Sequence, residues 1–452
     1  MHDDGMAAEY PPPQSLLPDD VLQEEVLPRL PPRALAVCRS VCKSWRGAID
    51  ACRMLRSDLL PLWPCGIFVN TGGDPRPPVF FAPPYVGRKV TSKFNTYVGM
   101  MGDRSWPRSA PVISAHCNGL LLMYNDGQND DYVMNPATRR SERLPLCQGE
   151  PCDERHLLFD PSLSPHYQVL LFQSPDDYQA DAGSEWPPSP FAMWVYSSAT
   201  RRWEKRSFTR EGQPAAGTLA EVHSAEEPIY YRRQSVYFHG ALYAHCKGDF
   251  IMRITLPDSK YQVIEPPQGI NSSVQFDLRL VKCKNGVYLA YMGKTLKAWF
   301  LNESAASGKA WVLKYDVNLQ AVNSHFSSQD SHHPINMPWL LHHADNNKGN
   351  NARVRSVEKF QWDSDNGNIV KIKKSTDGKF RGSGWIHLLG FHPYKEVAFL
   401  QLSNNRAVAC HLDLSKVQDL GHFDLPFYRN HSYVNGTFVY SPCWMGDLCE
   451  QY

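Results

Sequence analysis

Two cysteines near the N-terminus are the first residues whose type and spacing could do chemistry. Cys38 and Cys42 lie four residues apart, so on a helix the two thiols would share one face. Such a pair can supply half of a structural zinc site. The next cysteines, Cys52 and Cys65, do not form a second pair at the spacing that zinc fingers use. We therefore predict small, buried side chains here rather than a metal site.

Histidines are concentrated in one segment, SHHPINMPWLLHH at 331–343. Four imidazoles could bind a metal ion, but two prolines interrupt the segment, which predicts a surface loop. A loop that contacts a substrate is the alternative. Cys443 and Cys449 flank Trp-Met-Gly-Asp-Leu without a matching pair of histidines, so we predict that these two cysteines pack in the core.

The sequence contains no recognisable catalytic motif. There is no GxSxG, HExxH or P-loop motif, and no GxGxxG follows a predicted strand. Asp377-Gly378-Lys379 is typical of a hairpin turn rather than of a phosphate-binding loop. We therefore predict a protein that is not an enzyme and uses no cofactor, with no catalytic, cofactor-binding or metal-binding residues.

The amino-acid composition and the net charge indicate which kinds of partner the protein is expected to bind. The 452 residues carry a formal net charge of +1, with 42% hydrophobic and 21% charged residues, as in an ordinary globular protein. This charge produces no long-range field that would attract nucleic acid or an anionic membrane. The acidic, proline-rich first residues do not resemble a secretion signal, and the 12 cysteines are scattered, as in a reducing compartment. We expect the protein in the cytoplasm, the nucleus or both.

The sequence changes character near residue 60. Residues 16–60 follow helical patterns, whereas from Ile67 onward short apolar runs alternate with Gly, Pro, Asn and Asp, as in many short strands. Pro61 and Pro64 mark the break, because proline stops a helix. Three short helices bury too little surface to be very stable alone. We therefore expect the helical part to rest on a neighbour or a partner.

The remaining residues contain a repeated unit. VMNPATRR at 133–140 recurs as VYSSATRR at 195–202, and HCNGLLLMY, YFHGALYAH and CKNGVYLAY each place a glycine before an apolar strand. Each unit would combine inner strands that open on a glycine turn with an outer hairpin that closes on a polar turn. The units recur at roughly 45–62 residues, a period that suits the blades of a β-propeller. We predict an antiparallel propeller of six to eight blades, with a pair of β-sandwiches as the alternative.

The helical part resembles the F-box. The matching elements are, in order, Leu17-Pro18-Asp19, Val21-Leu22, Arg29-Leu30-Pro31, Leu35 and Val41-Cys42-Lys43-Ser44-Trp45. Val21-Leu22 and Val26-Leu27 are separated by one residue more than in the usual pattern, and Glu25 stands where an apolar residue is common. The rest of the chain resembles the F-box-associated β-domain of plant, particularly grass, F-box proteins. The supporting phrases are CNGLLL, VMNPATRR, LLFDPSLSPHYQVLLF, VYSSATRRWEKRSF and FVYSPCWMGDL.

These resemblances imply an α+β multidomain chain that acts as an adaptor. The expected parts are a disordered tail at 1–15, a three-helix F-box at 16–60 and a kelch-like, F-box-associated β-propeller at 65–452 that recognises a substrate. The adaptor would serve a Skp–cullin–F-box ubiquitin ligase. Its partners would be a Skp-family linker protein, through it the cullin and RING subunits, and a protein substrate whose contact residues the sequence does not identify. Apolar side chains and prolines are expected to bind the linker: Leu17, Pro18, Val21, Leu22, Val26, Leu27, Leu30, Pro31, Leu35, Val41 and Trp45.

Two other functions stay open at this point. The propeller could be a free-standing module that binds a carbohydrate or another small ligand, with the helices as a cap. Alternatively, an F-box protein could bind the linker without recruiting a cullin. The tryptophans of the β-domain are expected mostly in blade cores, with one or two on the binding face: Trp194, Trp203, Trp299, Trp311 and Trp385.

Overall fold

The chain forms two compact units, residues 1–62 and 63–452. The computed structural model describes the following residues: 21–30, 35, 38, 41–52, 54, 64–72, 77–84, 111–125, 129–148, 152–212, 214–225, 233–268, 270, 277–283, 286–293, 295–304, 310–328, 338–342, 362, 369–370, 385–425 and 433–443. The tail predicted at 1–15 lies outside them. In this part of the chain, no helix combines the length and apolar character that a membrane span requires.

The helical unit begins with an irregular helix. Leu22–Val26 form a π-helical turn, in which the Leu27 amide donates to the Leu22 carbonyl, and Leu27–Arg29 continue as a 3-10 turn. A π-turn contains one residue more than an α-turn. It therefore accommodates the additional residue that separates the two apolar pairs in the sequence. Leu22 and Leu27 are both buried as a result.

A regular helix of this unit, α1, spans Lys43–Ala51, and Cys42 caps its first turn. The Cys42 carbonyl accepts a hydrogen bond from the Arg46 amide at 3.1 Å, and its thiol accepts one from the Trp45 amide at 3.5 Å. Ala48 and Ile49 are buried, because they lie one turn after Trp45 on the same side of the helix. Cys42 itself is exposed, so the prediction of a buried side chain is wrong at this position.

Six groups of four antiparallel strands, which we number as blades 1–6, make up most of the described part of the second unit. Thr209-Arg210 pairs in parallel with Lys260-Tyr261, which joins blades 2 and 3 into one eight-stranded sheet. Blade 1 contains β3 (Val112–Cys117), β4 (Leu120–Asn125), β5 (Asp130–Asn135) and β6 (Arg140–Arg143). Blade 2 contains β7 (Glu154–Leu158), β8 (Gln168–Phe172), β10 (Phe191–Ser197) and β11 (Arg202–Arg210). Blade 3 contains β13 (Ser235–Phe238), β14 (Ala241–His245), β15 (Ile251–Thr255) and β16 (Lys260–Ile264).

The next two blades repeat this order. Blade 4 contains β17 (Asp277–Cys283), β18 (Gly286–Met292), β19 (Leu296–Asn302) and β20 (Ala310–Val317). Blade 5 contains β23 (Ile386–Phe391), β24 (Val397–Leu402), β25 (Arg406–His411) and β26 (Val417–His422), and the short β22 (Ile369–Val370) pairs with β26. Small insertions add β9 (Glu185–Trp186), β12 (Gly217–Thr218), α2 (Leu219–Ser224) and α3 (Gln320–Ser328).

Blade 6 joins three distant parts of the chain. β1 (Gly66–Gly72) and β2 (Val79–Ala82) form its middle, β27 (Tyr433–Tyr440) its inner strand and β21 (Leu340–His342) its outer strand. Pairing of β1 with β27 thus closes the sheet between the two ends of the β-unit. The loop predicted at 331–343 is wrong at its described end, because residues 340–342 pair with β2.

Hydrophobic clusters lie between neighbouring blades all the way round. In the described residues there are six clusters, between blades 1 and 2, 2 and 3, 3 and 4, 4 and 5, 5 and 6, and 6 and 1. Alternation along β1 sends Ile67 and Val69 toward blade 5 and Phe68 toward blade 1. Both faces of a blade are therefore buried, which explains the continuous apolar runs. The predicted propeller is confirmed, and the described residues form six blades rather than stacked sandwiches.

The repeated turns have the conformations that their sequences indicate. Asn118-Gly119 and His239-Gly240 join the first two strands of blades 1 and 3, and all four residues have positive φ, as a type I′ hairpin requires. Arg139 and Arg201, which occupy the same place in the two Ala-Thr-Arg-Arg turns, have φ of 60° and 55°. The sequence repeat therefore marks equivalent outer hairpins of adjacent blades.

Candidate functional site

The predicted linker-binding residues fall into three classes of exposure. Leu22, Leu27 and Leu35 are buried, with exposed fractions of 4%, 0% and 3%, and have almost no surface left for a partner. Val26, Leu30 and Trp45 are half-buried. Val21 and Val41 are exposed, at 36% and 61%. Leu17, Pro18 and Pro31 lie outside the described residues.

Val41 is the most exposed of these apolar side chains, and its position follows from the start of α1. Its amide donates to the Cys38 carbonyl at 3.1 Å, and the next residue, Cys42, caps the helix. The turn before the helix therefore fixes the backbone of Val41 and leaves its side chain in solvent. Trp45 follows in the first turn of α1 with part of its indole accessible. An exposed valine and a partly exposed tryptophan are residue types suited to a protein interface.

A second candidate site is a cavity of about 90 Å³ inside the β-unit. The inner strands β3, β13, β17, β23 and β27 line it near their C-terminal ends. Three of its side chains occupy the same position, the last residue but one of an inner strand: His116 on β3, Tyr237 on β13 and Lys282 on β17. We call this space the axial cavity. Most of its lining side chains are half-buried, so solvent reaches it.

The charged groups of the axial cavity are Lys282 inside it and Asp160 near it. The Lys282 ammonium donates to Asn118 Oδ1 at 3.3 Å, and Asn118 Nδ2 donates to the Phe159 carbonyl at 2.7 Å. Asp160 Oδ1 accepts hydrogen bonds from the amide and the hydroxyl of Ser162, at 2.9 and 2.5 Å. No carboxylate of the described residues lies within ion-pair distance of Lys282.

Four titratable side chains of the cavity are uncharged at physiological pH: His116, Cys117, Tyr237 and Tyr394. Desolvation, helped by the positive charge of Lys282, lowers the pKa of His116 to about 4. Desolvation raises the pKa of Cys117 to about 12, and it also raises the pKa of Tyr237 and Tyr394, with a smaller contribution from Asp160. The cavity therefore presents one cation together with a neutral imidazole and a protonated thiol and phenols.

The sequence did not single out these residues, although it contained a signal. His116 and Tyr237 belong to the glycine-turn motifs, and Lys282 directly precedes the third. Their shared position predicts equivalent places on inner strands. What the motifs could not show is that Ser441, at the far end of the chain, lines the same space.

Comparison with known proteins identifies the helical unit. Residues 15–57 match the F-box domain family. A stretch of 198 residues is 25% identical to an F-box/kelch-repeat protein of Arabidopsis thaliana, covering 42% of this chain and 43% of that relative, so the match spans less than half of its length. The chain thus carries a segment that matches the F-box domain, followed by a β-propeller.

Solved structures resemble the chain only loosely. YCF48 from Cyanidioschyzon merolae is 8% identical with a TM-score of 0.32, over 84% of this chain and 96% of that one. The structure of YCF48 bound to D1 peptide is 8% identical with a TM-score of 0.32, over 79% of this chain and 84% of that one. The structure of YjhT is 10% identical with a TM-score of 0.26, over 46% of this chain and 66% of that one. These TM-scores are too low to support a fold assignment. The propeller is therefore assigned from the strand pairing and from the ring of hydrophobic clusters between the blades.

Proposed function

We propose that this F-box protein is a substrate-recognition adaptor of a Skp–cullin–F-box ubiquitin ligase. The F-box would bind a Skp-family linker, and through it the cullin and RING subunits, while the propeller would hold a protein substrate. The chain would perform no catalysis, and it would act in the cytoplasm or the nucleus. Holding a target near a ubiquitin-charged enzyme raises its effective concentration, which accelerates transfer without chemistry by the adaptor.

The observation that carries this proposal is the match of residues 15–57 to the F-box domain, combined with the exposure of Val41 beside Trp45. An apolar side chain 61% exposed at a rigid helix start gains free energy when a partner covers it. Leu22, Leu27 and Leu35 would then support the shape of this surface rather than contact the linker.

The test is capture of the linker by variants that change only the exposed surface. Val41→Asp should weaken linker binding at least tenfold, about 1.4 kcal/mol, because a carboxylate would be buried without a partner. Leu163→Asp is the matched control, since Leu163 is 73% exposed in the β-unit, and it should bind the linker normally. Leu35→Ala is a poor choice, because Leu35 is buried and its truncation would destabilise the domain.

The outcomes separate the remaining alternatives. Capture of the linker by Val41→Asp at the wild-type level would contradict the proposed binding surface. Capture of the linker without cullin would indicate an F-box protein that acts outside a cullin ligase. Failure of the wild-type chain to capture any linker would leave the propeller as a free-standing binding module.

A further inference from the structure

The axial cavity contains a cation whose hydrogen-bonding capacity is mostly unused by the protein. An ammonium has three N–H donors. Within the described part of the chain, Lys282 uses one of them, toward Asn118 Oδ1 at 3.3 Å, and also approaches the Phe238 ring, whose centroid lies 5.9 Å from Nζ. Among the described residues, no acid lies close enough to neutralise it. A half-buried lysine in this state favours an anion beside it.

Further donors line the same cavity. The Ser441 hydroxyl oxygen is buried and has no hydrogen-bond partner among the described residues, which costs free energy unless a ligand or water supplies one. Tyr237 and Tyr394 also line the cavity, and their hydroxyls make no hydrogen bond to another described residue. Because burial raises the pKa of both phenols, these hydroxyls keep their protons and can donate.

The charge and the size of the axial cavity restrict the kind of anion that it can bind. Asp160 directly follows Phe159, whose carbonyl accepts a hydrogen bond from the Asn118 amide beside Lys282, so its carboxylate disfavours a second negative charge in the cavity. A volume of about 90 Å³ accommodates a small planar group such as a carboxylate. We propose that the axial cavity binds a single carboxylate group, with the Lys282 ammonium and the Ser441 hydroxyl as its main donors. The carboxylate could belong to a small free acid or to the C-terminus of a peptide.

The inference is independent of the adaptor role and can fail separately from it. Saturation-transfer NMR with the full chain would compare acetate, which carries the carboxylate, with acetamide, which has the same shape and no charge. Acetate should receive saturation and acetamide should not. Inorganic phosphate should displace acetate only weakly, because it carries more negative charge at neutral pH. Displacement of acetate by triglycine, but not by its C-terminal amide, would assign the carboxylate to a peptide; displacement by neither would assign it to a small acid.

Substitutions of Lys282 and Ser441 test whether these two residues bind the carboxylate. Lys282→Met should weaken acetate binding at least tenfold, whereas Lys205→Met, which removes an exposed lysine from β11, should leave it unchanged. Ser441→Ala should weaken acetate binding several-fold, and it leaves the charge of Lys282 in place. This variant therefore tests the site even if Lys282→Met does not fold. Linker capture should stay normal in all three variants. Equal saturation of acetate and acetamide, tighter binding of phosphate, or unchanged binding in Lys282→Met and Ser441→Ala would overturn the proposal.

Discussion

His156 makes the stability of the propeller depend on pH in a way that one substitution can remove. The side chain is 4% exposed in blade 2, with its ring stacked on Phe172 at 5.0 Å. Its Nε2 lies 3.8 Å from Glu154 Oε2, beyond hydrogen-bond distance. Desolvation lowers its pKa from 6.5 to about 3. The folded protein therefore keeps this imidazole neutral under conditions in which the unfolded chain protonates it.

The sign and size of the effect follow from the two pKa values. Between about pH 6.5 and pH 3 the unfolded state binds one proton more than the folded state, so stability falls as the pH falls through this window. At pH 5 the proton stabilises the unfolded chain by about 2 kcal/mol, and at pH 7 by much less than 1 kcal/mol. This loss is a considerable part of the stability of an ordinary domain.

The assay is urea unfolding at pH 7 and pH 5, followed by tryptophan fluorescence, for the wild type and His156→Phe. A phenyl ring can keep the contact with Phe172 but cannot be protonated. The variant should therefore lose about 2 kcal/mol less than the wild type between the two pH values. His166→Phe is the control, because His166 is exposed, and its pH dependence should match that of the wild type. Equal losses in His156→Phe and the wild type would refute the reasoning.

Two further pairs of substitutions test single contacts in the β-unit. Gly119→Ala should lower the free energy of unfolding by about 2–4 kcal/mol, because φ is +90° and the new Cβ would lie 2.5 Å from Cys443 Cβ and N. Gly240 has a similar φ of +78°, but no atom lies within 4 Å of the position of a new Cβ. Gly240→Ala should therefore lower the free energy of unfolding by only about 1 kcal/mol. Equal melting temperatures for the two variants would contradict the role of the Cys443 contact. Trp203→Phe removes the Nε1 hydrogen bond to the Pro145 carbonyl, 2.7 Å long, and should cost about 1 kcal/mol in urea unfolding. Trp311→Phe removes the equivalent bond to Glu265, and the two losses should add; a clearly non-additive double variant would show that these contacts are coupled.

The hydrogen bonds of two tryptophans show which features of the blades can be predicted from the sequence and which cannot. Tryptophans at 203 and 311 were expected in blade cores, and each is a half-buried side chain on an outer strand. Each indole donates to a carbonyl just beyond the outer strand of the preceding blade, Pro145 or Glu265. Periodicity places such a residue on a strand. It does not indicate which neighbouring loop the ring will reach, because that depends on how blades stand beside each other.

The sequence alone determined the local structure of this protein. Turn residues such as Asn118-Gly119, the repeated Ala-Thr-Arg-Arg hairpins and the F-box pattern act over a few residues, so their conformations follow from local sterics and hydrogen bonds. The additional residue before Leu27 was visible, and a π-turn accommodates it.

Only the tertiary structure decided how distant segments combine. Blade 6 takes strands from residues 66–82, 340–342 and 433–440, and no local preference specifies that β1 pairs with β27 or that β21 joins β2. The axial cavity depends on the same closure, since Lys282 and Ser441 line one space although 158 residues lie between them in the chain. Pairing across such distances is fixed by burial of both faces of every blade, which is a property of the whole ring rather than of any one strand.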